Sequence, residues 1–430
     1  MRRRTLLKGL LTAAVAAPGF RLPLVNAADY HGKLFVFVQA DGGWDPTSFC
    51  DPKTNTLGEP IINRWAQHDD IRQAGNIAYA PFAHNAAFFQ KYHRRMLIIN
   101  GVDSQTNSHT VGIVHNWSGR TAEGYPTLSA LLAAHYAPAL PVPYLSFGGF
   151  SATAGVTRFT RIDDPRLLKA IAHPTVQPWD PPQRIISDAD WASLEAARSA
   201  TADRRAAMLN LLPDERRHLA FYQSAFSTEG LAAYADAIPP EDQLEPAQDT
   251  PGNFTRSLGS TLRRQAQLTV LAFKTGVAVS ADLWLGGFDT HTNNDPEQEW
   301  LTANLTDSVD YLWDYAETHG VADRLVVVMG SDFGRTNFYN AADGKDHWPY
   351  GSYVIMEKNQ RWTNRVVGET DELHFPYRTD PRTLRRDDTN GTLIYPKHVH
   401  KALRRYLGIE HTAGARRFPF NNTEDFAFFG

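Results

Sequence analysis

Cysteine is nearly absent: Cys50 is the one thiol in 430 residues. No intrachain disulfide can form, so in an oxidising compartment stability has to come from core packing or bound ions. A thiol becomes a nucleophile only beside a base that depresses its pKa, and the sequence around Cys50 supplies none, so it reads as buried filler. An excess of charge of one sign is lacking too. Lys and Arg number 43 against 47 Asp and Glu, a formal net charge of −4, which creates no field to draw nucleic acid or an anionic membrane. The arginine pairs Arg94-Arg95, Arg204-Arg205, Arg263-Arg264 and Arg404-Arg405 are scattered among carboxylates and read as solvated helix faces. Also missing are internal repeats and any apolar run of the roughly 20 residues that a stable membrane span needs.

The apolar stretch nearest the start, Gly9–Ala17, is too short for an anchor and follows Arg2-Arg3-Arg4-Thr5-Leu6-Leu7-Lys8. A basic start, a short apolar stretch and a small-residue exit make an export signal. Arg3 to Lys8 resembles the twin-arginine core, with Arg2 where Ser or Thr is more usual. Val25-Asn26-Ala27 precedes the expected cut, so residues 1–27 would be removed and Ala28 would begin the mature chain. That route carries folded cargo, which predicts a periplasmic or extracellular protein with the twin-arginine translocase as a transient partner.

About 400 residues remain, with 42% hydrophobic and 11% aromatic content over the whole chain, ample for one large α/β domain or two smaller ones. Four runs have the continuous apolar, β-branched character of strands buried on both faces: Lys33–Gln39, Met96–Val102, Val277–Leu285 and Arg324–Met329, with Tyr353–Met356 a shorter fifth. Thr261–Thr275, Glu297–His319 and Lys397–Leu407 carry helical spacing. The alternation predicts an α/β fold, a mostly parallel sheet with helices on both faces. Ser187–Asp242, rich in Ala, Arg and Glu and bounded by prolines, is read as a helical insertion within a single domain spanning 28–430.

The polar residues fall at the ends of these strands, where open α/β sheets bind ligands. Asp41 follows the first run and His109 lies in the loop after the second; Asp289 and His291 follow the third, Asp332 the fourth, and Asp346-His347 precede the fifth. Such a carboxylate–imidazole set suits one or two divalent ions, Zn, Mn or Fe, or Mg or Ca where oxygens dominate. Singly, each aspartate could be a helix cap or turn former. A calcium loop beginning at Asp289 is excluded, since its sixth and twelfth positions are Asn294 and Trp300 instead of glycine and an acid. His398 and His400 read as satisfied surface histidines.

Gly286-Gly287-Phe288-Asp289-Thr290-His291 resembles the GGWDTH motif of the DUF1501 family, with Phe288 for Trp. Ser331-Asp332-Phe333-Gly334-Arg335-Thr336 followed by Gly344-Lys345-Asp346-His347 resembles its SEFGRT…GTDH pattern, and Ser108-His109 with Trp117 and Gly119 its SH segment. The resemblance runs from Phe35 to Leu407. It implies an alkaline phosphatase-like three-layer sandwich with metals at the carboxyl edge of the sheet: Asp41 and Asp332 on one ion, Asp289, His291 and His347 on the other. In such phosphatases a Ser or Thr attacks phosphorus or sulfur; the candidates lie within Ser104–Thr110, with Ser108 beside His109. Phe333 stands where those enzymes carry a histidine after the second-strand acid, a position His109 could fill. His109 would otherwise act as general acid or base, and Arg335 and Lys345 would take the substrate's remaining charge or else pair with neighbouring aspartates. The expected function is an exported metal-dependent hydrolase of phosphate or sulfate esters acting on a small anionic ester or glycan. The alternative is a catalytically degenerate metal- or glycan-binding surface protein on the same fold.

Overall fold

The apolar runs become strands because each offers side chains to two cores at once. The computed structural model describes residues 30–162, 164–177, 181–208, 210–225, 228–247 and 261–430; the expected export signal lies outside the described residues. Seven strands build one sheet: β1 (Leu34–Asp41), β2 (Met96–Asp103), β3 (Tyr144–Ser146), β4 (Ser280–Gly286), β5 (Leu325–Ser331), β6 (Tyr350–Glu357) and β7 (Arg365–Val367). Their order is β7-β2-β6-β5-β1-β4-β3. Every pairing is parallel except those of β6, which runs antiparallel to both β5 and β2.

Alternation along the strands sorts residues between the two faces. On β1, Leu34, Val36, Val38 and Ala40 enter one core and Phe35 and Phe37 the other; on β5, Leu325, Val327 and Met329 oppose Val326 and Val328. None of these eleven side chains is more than 1% exposed. At about 1.5–3 kcal/mol for each fully buried large apolar side chain, such strands are held by both faces together.

The first core is covered by α1 (Asn85–Tyr92), α8 (Leu262–Lys274) and α9 (Asn294–Thr318), the second by α2 (His109–Ser118), α3 (Leu128–Tyr136) and α10 (Pro396–Tyr406). On α9 the buried Leu301, Leu305, Val309, Leu312, Trp313 and Ala316 recur every three or four residues, the stripe a helix lays on a sheet. The result is a mixed α/β three-layer sandwich. Between β3 and α8 lie α4 (Pro165–Ala172), α5 (Asp188–Ala206), α6 (Pro213–Ala225) and α7 (Thr228–Ala237), the last three within the stretch read as an insertion. No described helix is long and apolar enough to cross a membrane.

Two expectations about polar residues are corrected. His398 and His400 are buried, at 0% and 1% exposure: their Nε2 atoms meet Glu424 Oε2 at 2.9 Å and the Asn116 carbonyl at 2.8 Å, while His400 Nδ1 has no partner. Arg264 and Arg404 are also buried; Arg264 pairs with Glu241 and Arg404 donates to the Phe418 carbonyl. Cys50 is free and buried, as its surroundings suggest.

Candidate metal centre

In register, Asp41 lies opposite Gly286 and Ala40 opposite Ser331, so β1, β4 and β5 end together. Past β1 the chain turns through Gly42 and Gly43, with φ of +114° and +87°, conformations open to glycine at little cost. A Cβ on Gly42 would lie 2.4 Å from the Asp289 amide nitrogen, so only glycine lets the two loops touch. The Phe288 amide donates to the Asp41 carbonyl at 3.1 Å. His109 begins α2, which packs tightly on the end of β5, since a Cβ on Gly112 would come within 2.7 Å of the Asp332 carbonyl. After β5 the chain doubles back, and Gly334–Arg335 pairs antiparallel with His347–Trp348.

These turns bring four donor atoms together. Asp289 Oδ1 lies 3.3 Å from His109 Nε2, 3.1 Å from His291 Nε2 and 3.2 Å from His347 Nε2. His291 Nε2 and His347 Nε2 are 2.9 Å apart. Donors about 2.0–2.2 Å from one tetrahedral ion stand roughly 3.3–3.5 Å from each other, close to the spacing of the three imidazoles from Asp289 Oδ1. His109, Asp289 and His347 form the group whose donors all lie within 4.8 Å of one another, and His291 stands outside it. A second observation agrees: His109 Nε2 is buried with no hydrogen-bond partner.

The far nitrogen of each imidazole is also fixed. His109 Nδ1 meets Asp332 Oδ2 at 2.6 Å, His291 Nδ1 meets Asp346 Oδ1 at 2.7 Å, and His347 Nδ1 meets the Asn107 carbonyl at 2.7 Å. Such contacts place the proton on Nδ1 and leave the Nε2 lone pair facing the centre, the usual arrangement behind histidine ligands.

The sequence expectations divide accordingly. Asp289, His291 and His347 come together, and His109 joins them. Asp332, expected to bind an ion with Asp41, has its oxygens otherwise engaged: Oδ1 accepts from the Gly42 amide at 3.0 Å and Oδ2 faces His109. Asp41 lines the adjoining cavity with Oδ1 buried and unpartnered. Ser108 precedes α2 as an exposed residue with no capping bond from its side chain. Arg335 and Lys345 are both 0% exposed and turn inward. Arg335 donates to Asp289 Oδ1 at 2.8 Å and to the carbonyls of Gly42, Gly43 and Lys345. Lys345 Nζ meets Asp45 Oδ2 at 2.7 Å and Asn63 Oδ1 at 3.1 Å. Neither cation faces the cavity.

Electrostatics follow from these neighbours. Burial raises the Asp289 carboxyl, but Arg335 and the adjacent histidines outweigh it and hold it at about 2. Burial and the Asp332 charge push Asp41 up to about 6. Burial lowers the His109 pKa, yet Asp332 and Asp289 more than reverse this and leave it raised.

The cavity beside the centre, about 280 Å3, is lined by Asp41, Gly42, His109, Trp284, Gly286, Gly287 and Asp289. Sequence reading passed over Trp284, which sits inside a strand-like run, and the orienting roles of Asp346 and the Asn107 carbonyl. The adjacency of Asp346 to His347 was a usable signal for the first; a backbone carbonyl leaves none.

Solved structures with some likeness include a Bacteroides thetaiotaomicron protein described with the metabolism of multiple glycosaminoglycans, at 8% identity and TM-score 0.42, covering 93% of this chain and 77% of that one. The PsFucS1 sulfatase of Pseudoalteromonas sp. is similar at 10% identity and TM-score 0.39, covering 95% and 72%. TAB5 alkaline phosphatase is similar at 8% identity and TM-score 0.33, covering 78% and 94%. Comparison with curated proteins gives no match. A family profile described as "Protein of unknown function (DUF1501)" matches residues 32–397, most of the chain, and the protein belongs to that family.

Proposed function

We propose that the protein is a metal-dependent hydrolase of phosphate or sulfate esters, working from one ion held by His109, Asp289 and His347, with His291 drawn in as a fourth donor when the ion binds. The observation that carries this reading is the convergence of three imidazole Nε2 atoms on Asp289 Oδ1, each ring fixed from behind. Three nitrogens against one oxygen favour an ion of the zinc class over Mg or Ca. When bound, the ion would supply Lewis-acid polarisation of the ester oxygen.

The chain's own residues do the rest. Asp332 and Asp346 hold His109 and His291 in register. Arg335, anchored on three carbonyls, fixes the Asp289 carboxylate and keeps it ionised. Among the described residues the cavity lining contains no hydroxyl side chain, which favours water as the source of the attacking oxygen, and the Asp41 carboxylate in that lining is the group placed to take the water's proton. The absence of a hydroxyl from that lining also favours a second reading, a binding protein that uses the same centre without turnover.

Elemental analysis of the purified protein, with assays on nitrophenyl phosphate, nitrophenyl sulfate and a phosphodiester after Zn or Mn loading, separates the two. One ion per chain with turnover supports the hydrolase; bound metal with no turnover leaves the binder, and no bound metal refutes the centre. We further propose export by the twin-arginine route, on the strength of Arg3-Arg4-Thr5-Leu6-Leu7-Lys8. Retention of an Arg3→Lys, Arg4→Lys variant inside the cell supports it, and continued export overturns it.

A further inference from the structure

The cavity beside the centre has an aromatic wall that the metal chemistry does not use. Trp284 lies on β4 beyond the reach of β3, which pairs only with Ser280, Ala281 and Asp282. Where that neighbour stops, a side chain replaces it. Gln265 Oε1 accepts from the Trp284 amide at 2.8 Å, and Gln265 Nε2 donates to the Trp284 carbonyl at 2.9 Å. The indole is then confined between two glycines: a Cβ on Gly286 would be 2.5 Å from the ring, and one on Gly149 would be 3.0 Å from Cδ1. A ring held this firmly in a cavity wall has little conformational freedom left to lose when a ligand meets it.

The remaining lining fixes what could meet it. Gly42, Gly286 and Gly287 contribute no side chains, Asp41 and Asp289 are acidic, and among the described residues no Lys or Arg lines the cavity. Arg335 and Lys345, the nearby cations of the sequence motif, are committed inward. Any ligand charge beyond the one taken up by the ion would face carboxylates without compensation. The volume of about 280 Å3 stands at the small end of ligand sites, room for about one ring and its ester group. An uncharged ring rich in hydroxyls satisfies both partners: its C–H face lies on the indole and its hydroxyls donate to the Asp41 and Asp289 carboxylates that line the cavity.

Resting on the hydrolase reading above, we infer that Trp284 is a specificity-determining platform for a neutral sugar ring bearing a single sulfate. The substrate class is thus a sugar monoester rather than a polyanion, an aryl ester or a lipid.

Sulfonates test this without turnover, because a C–S bond is not hydrolysed. Calorimetry on the zinc-loaded protein compares glucose-6-sulfonate, dihydroxypropanesulfonate and benzenesulfonate. The sugar should bind about tenfold tighter than the three-carbon diol, the size of one good ring contact, and tighter than benzenesulfonate. Trp284→Ala should erase the sugar-over-diol preference while zinc content is unchanged, and Trp284→Phe should retain most of it. An equal ratio in wild type and Trp284→Ala, or tighter binding of benzenesulfonate than of the sugar, overturns the inference and leaves the hydrolase reading intact. A protein that binds none of the three refutes both. Should Trp284→Ala not fold, saturation transfer from the wild-type aromatic protons to the sugar ring is the second measurement; its absence also overturns the platform.

Discussion

Replacing Asp332 with asparagine tests the centre at its most buried support. Asp332 is 1% exposed and sits between the Gly42 amide, 3.0 Å from Oδ1, and His109 Nδ1, 2.6 Å from Oδ2. Asparagine keeps one carbonyl oxygen and can still accept from Gly42, so the turn survives. The other oxygen becomes an NH2 group, which cannot accept from an Nδ1–H. The amide instead donates to Nδ1, which moves the imidazole proton to Nε2 and turns a ligand nitrogen into a donor. Loss of such an orienting contact typically costs 10–100-fold in metal affinity, and burial of Asp332 puts this case toward the upper end. In free energy that is about 1.4–2.7 kcal/mol. The assay is competition for Zn(II) against a chromophoric chelator at pH 7. Asp346→Asn is the internal comparison: its 2.7 Å contact with His291 involves a carboxylate 53% exposed, so water can replace it and the loss should sit near tenfold. Unchanged zinc affinity in Asp332→Asn, with the fold intact by circular dichroism, refutes the assignment of Asp332 as the His109 support.

Three further outcomes follow from buried groups. Lys345→Met leaves the Asp45 carboxylate, 2% exposed, without its cation, and breaking a buried pair from one side costs about 3–5 kcal/mol; an unshifted urea midpoint would contradict the 2.7 Å pairing. Gly344→Ala places a Cβ within 1.8 Å of the His291 carbonyl, so the loop must move, with zinc affinity falling at least tenfold and stability by about 1–3 kcal/mol; wild-type zinc binding would show that the loop does not position His291. Burial raises Asp282 to about 7, against about 3.9 for an unfolded aspartate. Between those values the folded chain holds a proton that the unfolded chain has lost, so this contribution is complete below about pH 4 and is lost as pH rises to about 7. Urea midpoints across that window should flatten in Asp282→Asn, though not vanish, because Asp41 is raised too; an unaltered slope would be the contrary result.

What was legible in the sequence was whatever depends on local pattern. Runs such as Leu34–Asp41 and Leu325–Ser331 lack alternation because both faces are buried, and the polar residues after them mark the binding edge. The antiparallel direction of β6 was not legible, since it depends on pairing with two strands whose partners are distant in sequence. In the centre, residue type pointed to Asp289, His291 and His347, whose donor atoms come together, but not to the groups behind the rings. Asp332 looks like a ligand in sequence, and only the approach of α2 at Gly112 and of the Gly42 amide makes it an orienter. Arg335 and Lys345 looked available for substrate because nothing local shows that the Gly42-Gly43 turn presents carbonyls inward, or that Asp45 is buried.

The antiparallel return of β6 bears on timing. It lets the chain leave β5 and come straight back, so Arg335, Asp346 and His347 reach the centre within one short excursion. The other contacts close over far greater lengths: His291 and His347 are 56 positions apart, and His109 and Asp332 are 223 apart. Closing such loops is costly before the contacts that reward it exist, so we expect the β5–β6 pair to form before β1, β4 and α2 dock. On that expectation an ion at the proposed centre would be taken up only with the last long-range docking, in whichever compartment that step takes place.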